Sequence, residues 1–195
     1  MQVMDEEKRA KILAVAARLF AEQPFHKVLL SDVAKAASVG KGTLYTYFKS
    51  KEDLYFSVLY SGFSGLVDRL REELAENPGS PLESLEMVIR EIVGFAYQAP
   101  HLFEVMRAVP RRGPLFLPKW DAKRRELRDL IESIIRHGIA LGVFIDSHPE
   151  LTARYIPGFV RSALLFGIET VDREDLTDHI LTFVKAAITA KGDIC

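Results

Sequence analysis

The sequence predicts an all-α protein. Apolar side chains recur at intervals of three and four residues along most of the 195-residue chain, the spacing that gives a helix one buried face. No stretch alternates apolar and polar residues over the length of a strand, and prolines and glycines separate the periodic segments. These observations predict about nine helices and no β-sheet.

The first predicted helix begins after Asp5, whose carboxylate can accept hydrogen bonds from the first backbone amides. It ends before Pro24. Ser50 is the predicted N-cap of a long fourth helix, and Asp53 completes a capping box with it. The sequence NPGSP at 77–81 predicts the turn after this helix.

Five further helical segments follow that turn. They are predicted at 82–98, 101–109, 118–141, 149–168 and 173–190. Pro157 lies inside the fourth of these segments, where it should kink or break the helix because proline has no backbone N–H.

Two short helices, at 31–37 and 41–48, are separated by three residues. This is the helix-turn-helix arrangement, whose second helix enters the DNA major groove. In that helix Leu44 and Phe48 lie about 40° apart and form the apolar face. Small, polar and aromatic side chains lie on the rest of the surface, where they can approach bases and phosphates: Lys41, Gly42, Thr43, Tyr45, Thr46 and Tyr47. The alternative is that the tyrosines are ordinary amphipathic residues at the edge of a core.

Charge is unevenly distributed along the chain. Residues 1–51 contain nine Lys and Arg against five Asp and Glu, so this quarter carries +4 although the whole chain carries −1. A basic segment of this kind is typical of a polyanion-binding module. Cys195 is the single cysteine, which excludes a disulfide framework, and no secretory or membrane-spanning segment is predicted. A cytoplasmic protein is expected.

Residues 14–59, AVAARLFAEQPFHKVLLSDVAKAASVGKGTLYTYFKSKEDLYFSVL, resemble the DNA-binding domain of the tetracycline-repressor (TetR) family. The most specific part is KGTLYTYFKSKEDL at 41–54. The resemblance implies a DNA-binding domain of three helices at 1–50 and a helical effector-binding and dimerisation domain at 51–195. It implies a ligand-responsive transcriptional regulator, by family default a repressor, that binds a palindromic operator as a homodimer and releases it when a small, largely apolar effector binds.

The resemblance also assigns contacts to individual residues. It puts Lys41, Gly42 and Thr43 near base edges. It puts Tyr45 and Tyr47, on the same helix, on phosphates. Lys51 is assigned to phosphate at the start of the fourth helix, where the helix dipole also attracts anions.

The sequence departs from the family pattern at two places. Ser38 and Gly40 stand where the family often has glycine and then serine. The helix at 41–48, the recognition helix, therefore lacks a side-chain N-cap. The family usually has Thr or Ser before the second helix, whereas this chain has the apolar residues 28–30. The resemblance assigns a phosphate contact to that Thr or Ser, and Ser31 is the candidate to replace it in this chain.

The C-terminal two-thirds predicts a largely apolar effector pocket between helices. Aromatic and sulfur side chains recur there, although most such residues in any domain are plain core. The candidate lining residues are Phe95, Phe103, Met106, Trp120, Tyr155, Phe159 and Phe166. Arg111 and Arg112 could meet an anionic group of the effector, but a basic stretch is more often a solvated surface.

The last two predicted helices are candidates for a dimer interface that forms a four-helix bundle. Small residues on the first of them permit close packing, and an apolar stripe runs along the other. The small residues are Gly158, Ser162, Ala163 and Gly167, and the stripe is Leu176, Ile180, Phe183, Val184 and Ala187. The alternative is that both helices belong to the core of a single chain.

No enzyme or cofactor is predicted, because the chain has no nucleophile elbow, phosphate-binding glycine loop or HExxH motif. His101 and Glu104 are spaced as two metal ligands, but a third is missing, so no metal site is predicted. The alternative function is a helical dimeric adaptor or ligand carrier whose head binds protein. Its binding would lack the steep salt dependence of phosphate contacts.

Overall fold

The computed structural model describes residues 5–98, 117–166 and 171–189, without the side chains of residues 117 and 164–166. Over these ranges it contains eight α-helices, one 3₁₀ turn and one isolated bridge, so the all-α prediction is confirmed. The helices are α1 Glu6–Glu22, α2 Leu30–Ala36, α3 Lys41–Tyr47, α4 Lys51–Glu76, α5 Pro81–Gln98, α6 Leu117–Ala140, α7 Pro149–Phe166 and α8 Arg173–Ile188, with the 3₁₀ turn at Phe25–Lys27. The helix predicted at 101–109 lies outside the described residues.

The described chain divides into two compact units, and the boundary along the sequence falls within α4. One contains residues 5–63, and the other contains residues 64–98, 117–166 and 171–189. The predicted division at residue 50 concerns function as well as packing and stays a prediction. None of the described helices is both long enough and apolar enough to span a membrane.

The first unit is built on the apolar faces of α1 to α4. The side chains below 9% exposure are Ile12, Leu13, Ala16, Phe20, Phe25, Val28, Val33, Ala34, Ala37, Leu44, Phe48, Leu54, Tyr55, Leu59 and Phe63, together with Ser57. This core covers every helix of the unit, so the two seven-residue helices α2 and α3 are stabilised by tertiary packing.

The two predicted N-caps are present, but the capping box predicted for Ser50 and Asp53 is not completed. Asp5 accepts a hydrogen bond from the Lys8 amide at 3.1 Å, and this bond lowers the pKa of the Asp5 carboxyl. Ser50 Oγ accepts from the Asp53 amide at 3.1 Å. Asp53 Oδ2 accepts from the amide of Lys49 at 2.8 Å, one residue before the capping-box donor. The side chains of Ser50 and Asp53 therefore satisfy backbone amides at the start of α4.

The turn between α2 and α3 is a Schellman motif. The Val39 amide donates to the Ala34 carbonyl at 2.9 Å, and the Ser38 amide donates to the Lys35 carbonyl at 3.1 Å. Ser38 has a φ of 57°, in the left-handed region that glycine occupies most readily. The family's preference for glycine at this position therefore has a conformational reason.

The core of the second unit is built from α5 to α8 and the second half of α4, on which Leu66, Val67 and Leu70 are buried. Its buried apolar side chains on α5 to α8 are Leu85, Val88, Ile89, Ile92, Val93, Ala96, Leu127, Ile131, Ile134, Ile135, Ala153, Ile156, Val160, Leu176, Ile180, Leu181, Val184 and Ile188. Pro157 was predicted to kink or break α7, but the helix continues through it, so the break is wrong and the kink stays a prediction. A proline removes one backbone hydrogen bond, and buried Ile156 and Val160 hold both sides of it in the core.

The apolar stripe predicted on α8 as a dimer surface is divided between two faces. Leu176, Ile180 and Val184 are buried in the core of this chain, which corrects their assignment to the interface. Phe183 and Ala187 are exposed. Helical periodicity shows that a face is covered, but the same pattern results whether the cover is the chain itself or a second copy.

Four alternating charges join the second half of α4 to α6 in this unit. Lys123 Nζ lies 2.8 Å from both Asp68 Oδ1 and Glu126 Oε2, and Arg71 pairs with the same two carboxylates. The hydrogen bond to Asp68 raises the pKa of Lys123, and the same bond lowers the pKa of Asp68. The positive charge of Lys123 is thus balanced by acids of α4 and α6.

A second Schellman motif ends α6, with Gly142 in the left-handed conformation at φ 72°. The amides of Val143 and Phe144 both donate to the Gly138 carbonyl, at 2.9 and 3.1 Å. The Phe144 ring lies so close to Gly138 that a Cβ there would be 2.0 Å from Cδ2. Phe144 also pairs with Thr189, which ties this turn to the end of α8.

Ser38→Gly is expected to raise the free energy of unfolding by about 0.5–1 kcal/mol, because glycine relieves the left-handed strain and loses part of that gain through a freer unfolded chain. Ser38→Val should lower it by about 1–3 kcal/mol, since a β-branched residue is poorly accommodated at positive φ. Urea denaturation followed by circular dichroism measures both changes. Equal stabilities of the two variants would contradict the assigned conformation.

Gly138→Ala is expected to destabilise the second unit by about 1–3 kcal/mol, because the new methyl group overlaps the buried Phe144 ring. The matched control is Gly94→Ala in α5, where a Cβ meets nothing within 4 Å. That change should raise stability by about 0.5–1 kcal/mol through helix propensity. Thermal unfolding of the two variants checks the opposite signs.

Candidate DNA-binding surface

Two side chains hold the recognition helix α3 against the core. Leu44 is 0% exposed and Phe48 is 1% exposed, as the sequence predicts. Gly40 is the N-cap and makes no side-chain hydrogen bond, so the absence of a capping side chain is also confirmed. The orientation of α3 therefore depends on these two anchors.

The predicted contact residues of α3 share its outer surface. Lys41, Gly42, Tyr45 and Thr46 are exposed, and Thr43 is partly exposed. Tyr45 is 48% exposed although its ring is large and apolar. The face thus combines a cation, hydroxyl groups and an aromatic ring, which are groups that bind phosphates and base edges.

Backbone access is the particular property of the start of α3. A Cβ at Gly42 would meet no heavy atom within 4 Å, so the fold itself does not require glycine there. Thr46 Oγ1 donates to the Gly42 carbonyl at 3.1 Å and keeps its lone pairs as acceptors. The space above Gly42 lies on the outside, where a partner can approach the backbone closely.

Tyr47 is linked to the beginning of α1. Its hydroxyl accepts a hydrogen bond from the Asp5 amide at 3.2 Å and retains its own proton for donation. The Arg9 guanidinium lies 5.6 Å from the centroid of the neighbouring Phe48 ring. Sequence reasoning missed both contacts because no local pattern joins α1 to residues about 40 positions away.

Ser31 does not replace the missing cap of α2. The helix begins at Leu30, one residue earlier than predicted, and its N-cap position is Leu29, which has no side-chain hydrogen bond. The carbonyl of Leu29 accepts the amides of Asp32 and Val33 at 3.0 and 3.2 Å. Ser31 is exposed in the first turn, and its phosphate contact stays a prediction.

Lys51 lies at the first position of α4 and is only partly exposed. Its Nζ donates to the carbonyls of Phe25 and His26, at 2.9 and 3.3 Å. This lysine therefore has partners within the protein, which the sequence did not predict, and its assigned phosphate contact stays a prediction.

The structure describes four of the predicted effector-pocket residues, and their common pocket stays a prediction. Phe95 on α5 and Trp120 on α6 are partly buried, and Arg124 lies 5.4 Å from the Trp120 ring. Tyr155 is 54% exposed on α7, and the Phe159 ring meets the exposed Phe183 ring of α8 at 5.1 Å. The remaining candidates, Phe103, Met106, Arg111, Arg112 and the side chain of Phe166, lie outside the described residues.

An outward apolar face runs along α7 and α8. It contains Leu151, Tyr155, Phe159 and Phe183. Phe183 is 55% exposed and Tyr155 is 54% exposed. The sequence predicted a covered surface on these helices but chose largely different residues for it.

Over the described ranges no three His, Cys, Asp or Glu side chains could hold a metal ion, and the pair His101 and Glu104 lies outside them.

Residues 12–58 match the family model described as "Bacterial regulatory proteins, tetR family". This match begins in α1 and ends in α4, so it includes α2, the turn and α3. The helix-turn-helix identified by geometry and the segment matched by the family model are therefore the same part of the chain.

Two relatives are similar to the chain well beyond residues 12–58, the DNA-binding head. The chain is 34% identical over 141 residues to the fatty acid metabolism regulator protein of Bacillus subtilis, covering 70% of this chain and 72% of that protein. It is 26% identical over 197 residues to the HTH-type transcriptional repressor KstR2 of Mycolicibacterium smegmatis, covering 95% and 93% of the two chains.

The fold is shared with the crystal structure of the transcriptional regulator FadR of Bacillus subtilis in complex with stearoyl-CoA. The TM-score is 0.67 at 23% identity, over 90% of this chain and 97% of that one. With an outward-facing recognition helix, a matching family model and a relative similar over two-thirds of its length, the chain belongs to the tetR family of bacterial regulatory proteins and is a DNA-binding transcriptional regulator.

Proposed function

We propose that the protein is a repressor that binds a palindromic operator as a homodimer and leaves it when a small, largely apolar effector binds. The observation that carries the proposal is the outer surface of α3, which is polar and exposed while its two apolar side chains are buried. The similarity to a repressor, KstR2, supports repression as the direction of control. Acting on chromosomal DNA, the protein works in the cytoplasm.

In this proposal α3 lies in the major groove. Lys41, Gly42 and Thr43 lie against base edges, and Thr46 adds a hydroxyl on the same surface. The open space above Gly42 supports this arrangement, because it admits the DNA to the helix backbone. Tyr45 and Tyr47 donate their hydroxyl protons to phosphates, and Ser31 meets the backbone from α2.

A second copy covers the outward face of α7 and α8. Leu151, Tyr155, Phe159 and Phe183 provide its apolar area, which is unusual on the surface of a monomer. Small residues on α7 allow close helix packing. They are Gly158 and Ala163, which are partly exposed, and Ser162, which is exposed. A two-fold dimer presents two α3 helices to half-sites about one duplex turn apart, roughly 34–36 Å.

Release requires that the effector binds one arrangement of the second unit more tightly than another. α4 is continuous from Lys51 to Glu76, and Asp68 and Arg71 in its second half are tied to Lys123 and Glu126 of α6. A shift of α6 therefore acts on α4 and on the spacing of the recognition helices. A coupling of about 1–3 kcal/mol changes DNA affinity roughly 5–150-fold.

Long-chain acyl thioesters are the first effector class to test. FadR of Bacillus subtilis, whose fold this chain shares, forms a complex with stearoyl-CoA. The relative with 34% identity is a fatty acid metabolism regulator. In this proposal the acyl chain occupies a largely apolar pocket that includes Phe95 and Trp120. Arg111 and Arg112, which lie outside the described residues, are the candidate cations for its anionic end.

Tyr45→Phe is expected to weaken binding to DNA from the region upstream of the protein's own gene roughly tenfold, because one hydrogen bond to a charged phosphate is lost. Fluorescence anisotropy on labelled duplex measures the affinity. The control is Tyr97→Phe on α5, a tyrosine of the second unit whose hydroxyl donates to the Val171 carbonyl, and this change should leave the DNA affinity unchanged. Equal effects of the two substitutions would contradict the role of α3, and binding indifferent to salt would favour a protein-binding head.

Phe183→Glu is expected to convert the dimer to a monomer, because it puts two like charges into an apolar interface. Size-exclusion chromatography with light scattering measures the mass, and circular dichroism shows whether the helices persist. Ser133→Glu, on an exposed position of α6, is the control. A Phe183→Glu protein that remains dimeric would mean that another surface forms the dimer.

A further inference from the structure

The first turns of α1 lie against the C-terminal end of α3. The Asp5 amide donates to the Tyr47 hydroxyl at 3.2 Å, and the guanidinium carbon of Arg9 lies 5.6 Å from the centroid of the Phe48 ring. Residues about 40 positions apart in the sequence therefore lie side by side in the first unit. α1 supplies none of the DNA contacts assigned so far, although its first turns border the recognition helix.

The Arg9 guanidinium keeps its hydrogen-bond donors. Its side chain is partly exposed, and among the described residues no oxygen accepts a hydrogen bond from it and no carboxylate pairs with it. The neighbouring Lys8 differs, because it pairs with Asp5 at 3.3 Å. A guanidinium presents several N–H donors in a planar fork that matches two oxygens of one phosphate. Arg9 thus has the donors that a phosphate contact requires.

The Phe48 ring restricts the positions that the guanidinium can take. Phe48 is 1% exposed and anchors α3, so its ring is fixed relative to the recognition helix. A cation over an aromatic ring is attracted by the negative face of the ring, and this contact leaves the N–H groups available for an oxygen ligand. Arg9 is therefore held beside α3 before DNA binds, which reduces the side-chain entropy that binding would cost.

Phosphates border a recognition helix on both sides. The major groove of B-DNA is about 12 Å wide, close to the diameter of a helix with its side chains, so groups beside the helix come near the walls of the groove. The proposed contact of Tyr47 puts a phosphate at the C-terminal end of α3. Arg9 lies beside the next residue, Phe48, so its guanidinium faces the same stretch of DNA backbone.

We propose that Arg9 is a phosphate ligand and that the DNA-binding surface includes the first turns of α1. In each half-site the guanidinium donates to a phosphate next to the one that Tyr47 binds. This inference rests on the proposed placement of α3 in the major groove, so a variant of α3 is measured in the same series.

The test compares Arg9→Met with Lys11→Met on the upstream duplex. Both changes remove one positive charge from α1, but Lys11 is exposed about 200° around the helix from Arg9, on the side away from α3. Anisotropy titrations over a range of salt give the affinity and the slope of log K against log salt. Each phosphate contact contributes about 0.9 to the slope, so a dimer that loses two contacts should have a slope smaller by about 1.8.

Arg9→Met is expected to show this smaller slope and to bind about 10–100-fold more weakly, because a charge-assisted contact is lost in each half-site. Lys11→Met should keep a slope and an affinity close to those of the wild type. An unchanged slope in Arg9→Met overturns the proposal, even where the affinity falls because the packing on Phe48 is lost. Equal reductions in the two variants also overturn it, since they would reflect only the net charge of the first unit.

Tyr45→Phe is the variant of α3 in this series. An unchanged affinity in Tyr45→Phe contradicts the proposed contact of α3, whereas the slope of Arg9→Met reports on α1 alone, so the two failures can be told apart. Should circular dichroism show that Arg9→Met does not fold, Arg9→Gln gives the same measurement, because its amide lacks the charge but retains N–H donors. A wild-type slope in folded Arg9→Gln overturns the proposal.

Discussion

The burial of Leu44 and Phe48 is the interaction on which the DNA-binding head depends. α3 has seven residues and no capping side chain, and a helix of that length is not stable alone in water. Two fully buried side chains attach it to the core along one narrow face. The rest of its surface is therefore free to carry exposed polar and aromatic groups, which the helix needs for binding and not for stability.

Several departures from local rules concentrate around this helix. Ser38 occupies a left-handed conformation without being glycine, and Leu29 takes an N-cap position without a hydrogen-bonding side chain. Gly42 lowers the helix propensity of α3 although the surrounding space would admit a side chain. Each departure costs stability, and the shared core compensates for it. Such local conflicts are typical of functional sites.

The second unit divides its apolar surface between two purposes. On α7, buried Ile156 faces the core while exposed Tyr155, its neighbour in sequence, faces outward. On α8, Ile180 and Phe183 are divided in the same way. A helix that is apolar on two sides leaves one apolar face exposed in the single chain, and this is the face that the proposed dimer covers. The charges that link the second half of α4 to α6 lie in this unit.

The sequence by itself determined the helical class, the position of every described helix to within about two residues, and the anchoring of α3. These are local properties, because helical periodicity, capping residues and the motif KGTLYTYFKSKEDL are all read within one or two turns. Only the tertiary structure decided which partner each side chain meets. Lys51 reaches carbonyls 25 and 26 residues away, Tyr47 accepts from an amide 42 residues away, and Leu176, Ile180 and Val184 pack inside one chain. Spacing along a helix selects the face on which a residue lies, but the element that packs against that face depends on how the whole chain folds back on itself.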